Sequence, residues 1–418
     1  MLLPPDTSPI KLMTLDPGHF HASLVQKEMY PGVSPRVTVY APLGFDLIEH
    51  LGRVARFNLR SDRPTHWELD IHTSDDPLAQ MLREKPGNVA VIAGRNRPKI
   101  DRIQASVNAG LNVLSDKPWV IRSADLPKVS ATLDTAERNG LVAYDLMTER
   151  YEVTNYLLKE LANDPQIVGR IVPGDAQNPG VYMESIHWLL KTVDGAPLLR
   201  PVWFFDTNEQ GEGLSDVGTH LVDLAAWTLY PQTILDYRAD IKMEGAKRFP
   251  TTMTADEYKR VTGSPRNGPL DYYCNTVVQY ALRGVHVKLD VLWKYQSPTN
   301  GPDTLIAVYR GTRSRLEIRD GQVSIVPSNA ADKAAILEAT RQRVAHYGDM
   351  KANDAGDRIQ LTIPDRLRVG HEAHFGEVAK KFFEYLKNPP SMPAWEKANM
   401  MAKYYVTTAG VDLSQQSK

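Results

Sequence analysis

Residues 88–118 read NVAVIAGRNRPKIDRIQASVNAGLNVLSDKP, and their pattern decides the fold class. An apolar run at 88–94 ends in the small residues Ala93 and Gly94. A stretch with helical spacing follows to about residue 110, and a second apolar run, LNVLSDKP at 111–118, ends in Asp116, Lys117 and Pro118. Strand, helix and strand in this order make a βαβ unit, whose strands lie parallel because the helix carries the chain back across one face. The same alternation extends outward from it. Strand-like runs stand at 10–15, 36–41, 67–73 and 141–146, with DPGHFHA and a helix after the first and an arginine-rich segment before the third. A doubly wound parallel sheet is therefore expected over residues 1–150.

Beyond Arg150 the period changes. A helical YEVTNYLLKELA leads into strand-like PVWFFDT, NTVVQYALR, VHVKLDVLWKY, DTLIAVYRG, SRLEIRD and QVSIVP, with turn residues such as RGT and RDGQ between them. From about residue 329 three helical segments close the chain: ADKAAILEATRQRVAHYG, GHEAHFGEVAKKFFEYLK and PAWEKANMMAKYYVTTAG. The expectation for residues 151–418 is an α+β domain with a mostly antiparallel open sheet and C-terminal helices. The fold class is α/β.

Composition narrows the partners. A chain of 418 residues exceeds what one core usually organises, which suits two domains. Lys plus Arg number 49 against 50 Asp plus Glu, and the net charge of -1 gives no general attraction for nucleic acid or an anionic membrane. A small molecule is the expected partner. The single cysteine, Cys274, excludes an intrachain disulfide and any all-cysteine metal site, and its strand-like surroundings make packing its expected role. No run of about 18 apolar residues occurs. The opening MLLPPDTSPIK lacks the positive start and apolar stretch of a secretory signal. The cytoplasm is the expected location of the chain as it stands, and the periplasm if a leader has been removed.

In doubly wound sheets ligands bind at the carboxyl ends of the strands, where a glycine-rich turn lets a pyrophosphate approach backbone N–H groups. The turn after the first strand is Asp16, Pro17, Gly18, His19, Phe20, His21, Ala22. Only Gly18 supplies a glycine, and an ordinary βα turn explains the residues equally well. Asp16 repels a phosphate beside it, and His19 offers a hydrogen bond to one. The second strand ends Tyr40, Ala41, Pro42, without the acidic residue that would read a ribose, so NAD and NADP are not distinguished. Arg53, Arg56 and Arg60 suit either a 2′-phosphate or a solvated helix face. At the next two strand ends stand Ala93, Gly94, Arg95 and Asn96, then Lys117 held extended by Pro118. A lysine at that edge can stabilise alkoxide character on a reacting oxygen.

The segment GEGLSDVGTHLVDLAAW, 211–227, places Asp216, His220 and Asp223 at i, i+4 and i+7, on one face of a helix. Two carboxylates beside an imidazole form a proton-transfer unit, because histidine titrates near neutrality and a carboxylate orients its ring; a capped helix with a core histidine is the plainer reading. HEAH, 371–374, falls one residue short of the zinc-protease spacing. No metal is expected, and His371, Glu372 and His374 are read as substrate hydrogen-bonders or helix caps. His187 and Trp188 in ESIHWLLK suit a sugar pocket, which pairs polar edges with apolar faces.

Together these residues resemble the glucose-fructose oxidoreductase and inositol 2-dehydrogenase family, Gfo/Idh/MocA. The likeness covers roughly residues 10–230 in order. Its Glu-Lys-Pro motif corresponds to Asp116, Lys117 and Pro118, and its DxGxHxxD helix motif to Asp216, Gly218, His220 and Asp223. The resemblance implies an N-terminal Rossmann-type domain, a C-terminal open-sheet domain, a tightly held NAD or NADP, and Lys117, Asp216 and His220 as the catalytic set. Asp16, Gly18, His19, Phe20, Tyr40, Ala93, Gly94, Arg95, Asn96, Lys117 and Pro118 are the expected cofactor residues. Substrate contacts are expected from His187, Trp188, Asp223 and His374. Three departures stand out: the first loop keeps only Gly18, the TPNxxH loop keeps only Asn96, and the motif glutamate is Asp116. The segments RPVWFFDTNEQGEGLSDVGTHLVD and HEAHFGEVAKKFFEYL resemble a divergent subgroup from glycan-degrading bacteria, for which oxidation of a glycoside ring hydroxyl is the expectation.

The expected reaction is hydride exchange between nicotinamide and a secondary hydroxyl of a sugar or glycoside, in a homo-oligomeric protein. An unperturbed lysine is protonated at neutral pH, so His220 is the better base. Two alternatives use the same chain: an NAD-dependent glycosidase working by transient oxidation and elimination, and a non-catalytic sugar sensor.

Overall fold

β1 (Leu12–Leu15) and β4 (Val89–Ile92) are buried at every position, as strands covered on both faces must be. The computed structural model describes residues 9–193, 195–299 and 301–416; the opening MLLPPDTS lies outside the described residues. With β2 (Arg36–Ala41), β3 (Glu68–Thr73), β5 (Asn112–Ser115) and β6 (Ala143–Asp145), these strands form a six-stranded parallel sheet in the order β3-β2-β1-β4-β5-β6. Met13 pairs with Thr38 on one side and with Ala90 on the other. The order reverses between β1 and β4, so the loops after β1, β4 and β5 share the carboxyl edge at a topological switch point. The arginine-rich stretch before β3 is the helix Phe45–Leu59, which buries Leu47, His50, Arg53, Val54 and Phe57 along one stripe.

Two later segments join this unit. Pro201–Gly211 and His371–Pro393 cluster with the chain up to Thr148, whereas Glu149–Arg200, Glu212–Gly370 and the chain from Ala394 make the second unit. A single cut at residue 150 therefore does not separate the two. Helix His371–Lys387 brings Phe375, Phe382, Phe383 and Tyr385 into the first unit's core, where Phe383 meets Tyr30 and Tyr385 meets Tyr144, with ring centres 5.1 and 5.6 Å apart. PVWFFDT, expected as a strand, is instead a 3-10 turn at Val202–Phe205 followed by the short helix Thr207–Gln210. Asp206 ends the apolar run and caps that helix by accepting from the Asn208 N–H.

The second unit is built on a nine-stranded sheet. β7 (Val181–Leu190) lies at its middle, parallel to β12 (Val285–Gln296) and antiparallel to β13 (Thr304–Arg310). A two-stranded ladder of β8 (Thr192–Val193) and β9 (Ala196–Pro197) follows β7. β10 (Ile241–Met253) and β11 (Leu270–Leu282) extend the sheet beyond β12. β14 (Ser314–Arg319), β15 (Gln322–Pro327), β16 (Lys351–Asp354) and β17 (Ile359–Thr362) extend it beyond β13, giving the order β10-β11-β12-β7-β13-β14-β15-β17-β16. Strict alternation of buried and exposed residues along β12 marks one covered face. Helices Val153–Ala162, Gly218–Leu229 and Ala394–Gln416 pack together in this unit. β7, β10, β16 and β17 are strands that the sequence pattern left unassigned.

Candidate functional site

In the first unit, the turn after β1 brings Asp16 to φ 48°, where its carboxylate pairs with Arg102. That pairing removes the repulsion expected between Asp16 and a phosphate. Gly94 has to be glycine, because a Cβ there would overlap the Asp16 carboxylate and carbonyl. The backbone of the turn is already committed: the Gly18 N–H donates to the Asp16 carbonyl at 2.8 Å and the His19 N–H to the Ala93 carbonyl at 2.7 Å. Space beside Gly18 is also taken. A Cβ there would stand 2.8 Å from Asp46 Oδ2 and 3.0 Å from Trp203 Cζ2. Trp203 Nε1 donates to that same Asp46 oxygen at 3.0 Å, and the Arg95 guanidinium lies 5.5 Å from the Trp203 ring centre.

The neighbouring loop is similarly held. Asn96 N–H donates to the Glu209 carbonyl at 3.0 Å, and its side-chain amide donates to the Gln210 carbonyl at 2.7 Å, while Lys99 Nζ donates to Asn96 Oδ1. Tyr40 is buried, and its hydroxyl donates to Glu84. Phe20 packs edge-on against both His19 and His21, with Arg53 over its ring. Ala93, Gly94, Asn96, Lys117 and Pro118 are all buried at the strand ends. The Asn96 and His19 donors are thus committed to protein acceptors, and the Gly18 turn as it stands leaves no cradle for a pyrophosphate.

Asp116, at the end of β5, accepts hydrogen bonds from two imidazoles: His19 Nδ1 at 2.6 Å and His21 Nδ1 at 2.8 Å. Burial holds His21 neutral, pushing its pKa down to about 3 against the pull of Asp116. Burial works the other way on Asp116, but its interactions with His21, His19 and Lys99 outweigh it and keep the carboxyl well below its usual range. A neutral ring donating to a carboxylate satisfies both. Lys117 follows, joined to Pro118 by a cis peptide bond. On helix His371–Lys387, His374 is buried and His371 lies with its ring centre 6.2 Å from that of His21. The role of Asp116 as an anchor for two histidines was not visible in the sequence, because its partners stand nearly a hundred residues away.

In the second unit, the helix expected within residues 211–227 is two segments. Gly213–Asp216 ends before Gly218–Leu229 begins, so Asp216 closes one segment while His220 and Asp223 belong to the next. Gly213 is required where the chain crosses β11, since a Cβ would overlap the Cys274 carbonyl oxygen. Asp216, His220 and Asp223 are all buried. The expected substrate role of Asp223 is corrected by its partners. Arg150 binds both its oxygens at 2.6 Å, Lys403 reaches Oδ1 at 3.3 Å, and Arg150 also pairs with Glu396 at 2.8 Å. Such a set neutralises the charge of a carboxylate that is buried inside the unit.

His187 lies on β7, half-buried, with Nδ1 3.0 Å from Asp303 Oδ2 and its ring 5.1 Å from that of Trp293. Asp303 also accepts from Lys191 and from the Trp188 N–H, while Trp188 Nε1 donates to the Pro302 carbonyl. Burial would raise the Asp303 carboxyl, but His187 and Lys191 hold it far below its usual range. Arg200 was missed from sequence. Its guanidinium is buried, donates to the carbonyls of Trp188 and Leu189, lies 5.1 Å from the Trp293 ring centre, and feels the charges of Asp303 and Asp216. No local motif marks it, because its acceptors are backbone groups of a strand edge.

A family described as "Putative oxidoreductase C terminal domain" matches residues 157–415, more than half of the chain. The chain belongs to this oxidoreductase family. A crystallised putative oxidoreductase from Parabacteroides merdae ATCC 43184 is 42% identical with a TM-score of 0.94, covering 98% of each chain. "Putative oxidoreductase YteT" of Bacillus subtilis (strain 168) is 27% identical over 169 residues, which is 40% of this chain and 36% of that protein. The fold is also that of a levoglucosan dehydrogenase crystallised with NADH, at 13% identity, a TM-score of 0.59, and coverage of 97% and 98% of the two chains. Among the described residues of this chain no helix is long and apolar enough to cross a membrane.

Proposed function

We propose that this oxidoreductase exchanges hydride with a secondary hydroxyl or ketone of a sugar or glycoside, using NAD or NADP. The observation that carries the reading is Lys117, buried at the carboxyl end of β5 beside the switch point of a 3-2-1-4-5-6 sheet. The nicotinamide dinucleotide supplies the hydride acceptor or donor when bound. Gly94, Arg95, Asn96, Lys117 and Pro118 are the residues that would hold it. Lys117 donates a hydrogen bond to the reacting oxygen and stabilises its developing charge. His220 takes the hydroxyl proton, and Asp216 favours the imidazolium that results. The sugar class is supported by the levoglucosan dehydrogenase likeness and by resemblance to the glycan-degrading subgroup.

The test is single-turnover absorbance of reduced nicotinamide against a panel of glycosides, with Lys117→Ala, His220→Asn and Asp216→Asn beside the wild type. Loss of one preorganised donor lowers the chemical step by roughly 100-fold to 1000-fold. Rates are compared per folded molecule, with the folded fraction of each variant taken from its unfolding transition. Hydride transfer at the wild-type rate in His220→Asn and Asp216→Asn together makes that pair structural.

A non-catalytic sugar-binding role is the second reading, favoured by the closure of the Gly18 turn by Trp203 and Asp46. Mass analysis of the small molecules released on denaturing the purified protein separates the two: a nicotinamide dinucleotide belongs to the first.

A further inference from the structure

We propose that His19, His21 and Asp116 form a binding site for a divalent transition-metal ion, against the sequence expectation of no metal. The site lies wholly in the first unit and does not depend on the catalytic reading. One ligand atom from each of the three residues lies within 4.8 Å of the others. The His19-x-His21 spacing directs two rings from one turn onto a single carboxylate supplied by the end of β5, and the ring centres stand 3.9 Å apart. Ligands at about 2.0–2.2 Å from a shared ion stand roughly 3 Å apart when they meet at right angles. The observed Nδ1-to-carboxylate separations of 2.6 and 2.8 Å need little adjustment to reach that.

The chemistry of the donors selects the ion. Two imidazole nitrogens and one carboxylate suit Zn2+, Fe2+ or Co2+ over the hard, all-oxygen sites of Mg2+ and Ca2+. Each imidazole moves its proton from Nδ1 to Nε2 on binding, so both rings stay neutral and the carboxylate supplies the one negative charge. His19 keeps 14% of its side chain exposed, which provides a way in for the ion. A third imidazole is close: His371 of the HEAH motif, its ring centre 6.2 Å from that of His21. Three protein ligands leave positions open for an oxygen ligand.

The test uses the full chain stripped with a chelator and titrated with Co2+, following visible d–d absorbance. One equivalent should bind saturably, and His21→Ala and Asp116→Asn should each weaken binding by about 100-fold or more. X-ray absorption of the Zn2+-loaded wild type should show two or more imidazole ligands, a readout that no variant's folding can spoil. Absence of saturable binding at millimolar Co2+ overturns the proposal, leaving a purely hydrogen-bonded triad. So does a Zn2+ shell without imidazole, or undiminished Co2+ binding in both folded variants. Nicotinamide binding, measured separately, enters none of these readouts.

Discussion

At Asp223 and at His50 burial has opposite consequences. Burial alone would raise the Asp223 carboxyl, but Arg150 and Lys403 outweigh it and lower the pKa. Asp223→Ala leaves two buried cations without their counter-charge and should cost about 3–5 kcal/mol in urea denaturation. An unchanged midpoint would show that the set carries no stability. Because the folded carboxyl titrates below its unfolded value, this contribution is present above the unfolded pKa of about 4 and fades as pH falls through the folded one. His50 has no partner for either ring nitrogen, and burial, aided by Arg53, pushes its pKa down to about 4. Its unfolded form takes a proton near pH 6.5, so stability should decline as pH drops from there towards 4, by up to about 3 kcal/mol. His50→Leu should flatten that part of the profile, and an unaltered slope assigns the loss to other groups. Neither behaviour was legible in sequence: His50 looks like an ordinary helix residue, and the motif that singles out Asp223 gives no sign of Arg150 or Lys403.

Among the elements, the segment Val202–Gln210 has the most direct bearing on function. Read as a strand, it would have extended the second sheet; as a 3-10 turn and short helix it packs Trp203 beside Gly18 and clamps Asn96 from Glu209 and Gln210. Any dinucleotide that uses the Gly18 turn has to displace Trp203 and Asp46. Trp203→Ala should therefore speed NAD association severalfold in stopped-flow experiments while leaving Lys117 in place. Equal or slower association would mean that Trp203 does not gate the turn. The apolar run VWFF fits either a strand or a buried turn, and Pro201 before it with Asp206 after it tips the balance locally. In the helix motif at 211–227 the residue types were legible, whereas the close approach of Gly213 to Cys274 of β11 and the break after Asp216 were not.

For the whole molecule, the interleaving of the two units matters more than the count of domains. The chain leaves the first unit at Thr148, returns for Pro201–Gly211, and returns again for His371–Pro393. A fragment ending at residue 150 would expose the surfaces that Phe375, Phe383 and Tyr385 cover on His21, Tyr30 and Tyr144. Such aromatic patches drive aggregation. The fragment should be insoluble or loosely packed by near-UV circular dichroism, and a peptide of residues 371–393 added in trans should restore cooperative unfolding. A fragment that folds cooperatively alone would show that the helix is dispensable to the first core.

The sequence by itself determined the strand-helix alternation to residue 150, the alternating strands from residue 275 to 327 and the place of Lys117 at the end of its strand, because local period and turn chemistry act over a few residues. Only the tertiary structure decided which polar groups meet. His19, His21 and Asp116 converge because β1 and β5 end at the same sheet edge, and Asp223 is neutralised because Arg150 and Lys403 arrive from distant helices. The return of residues 201–211 and 371–393 to the first unit was likewise decided by packing. An apolar helix face shows that it will be buried, but its partner is fixed only when the whole core closes around it.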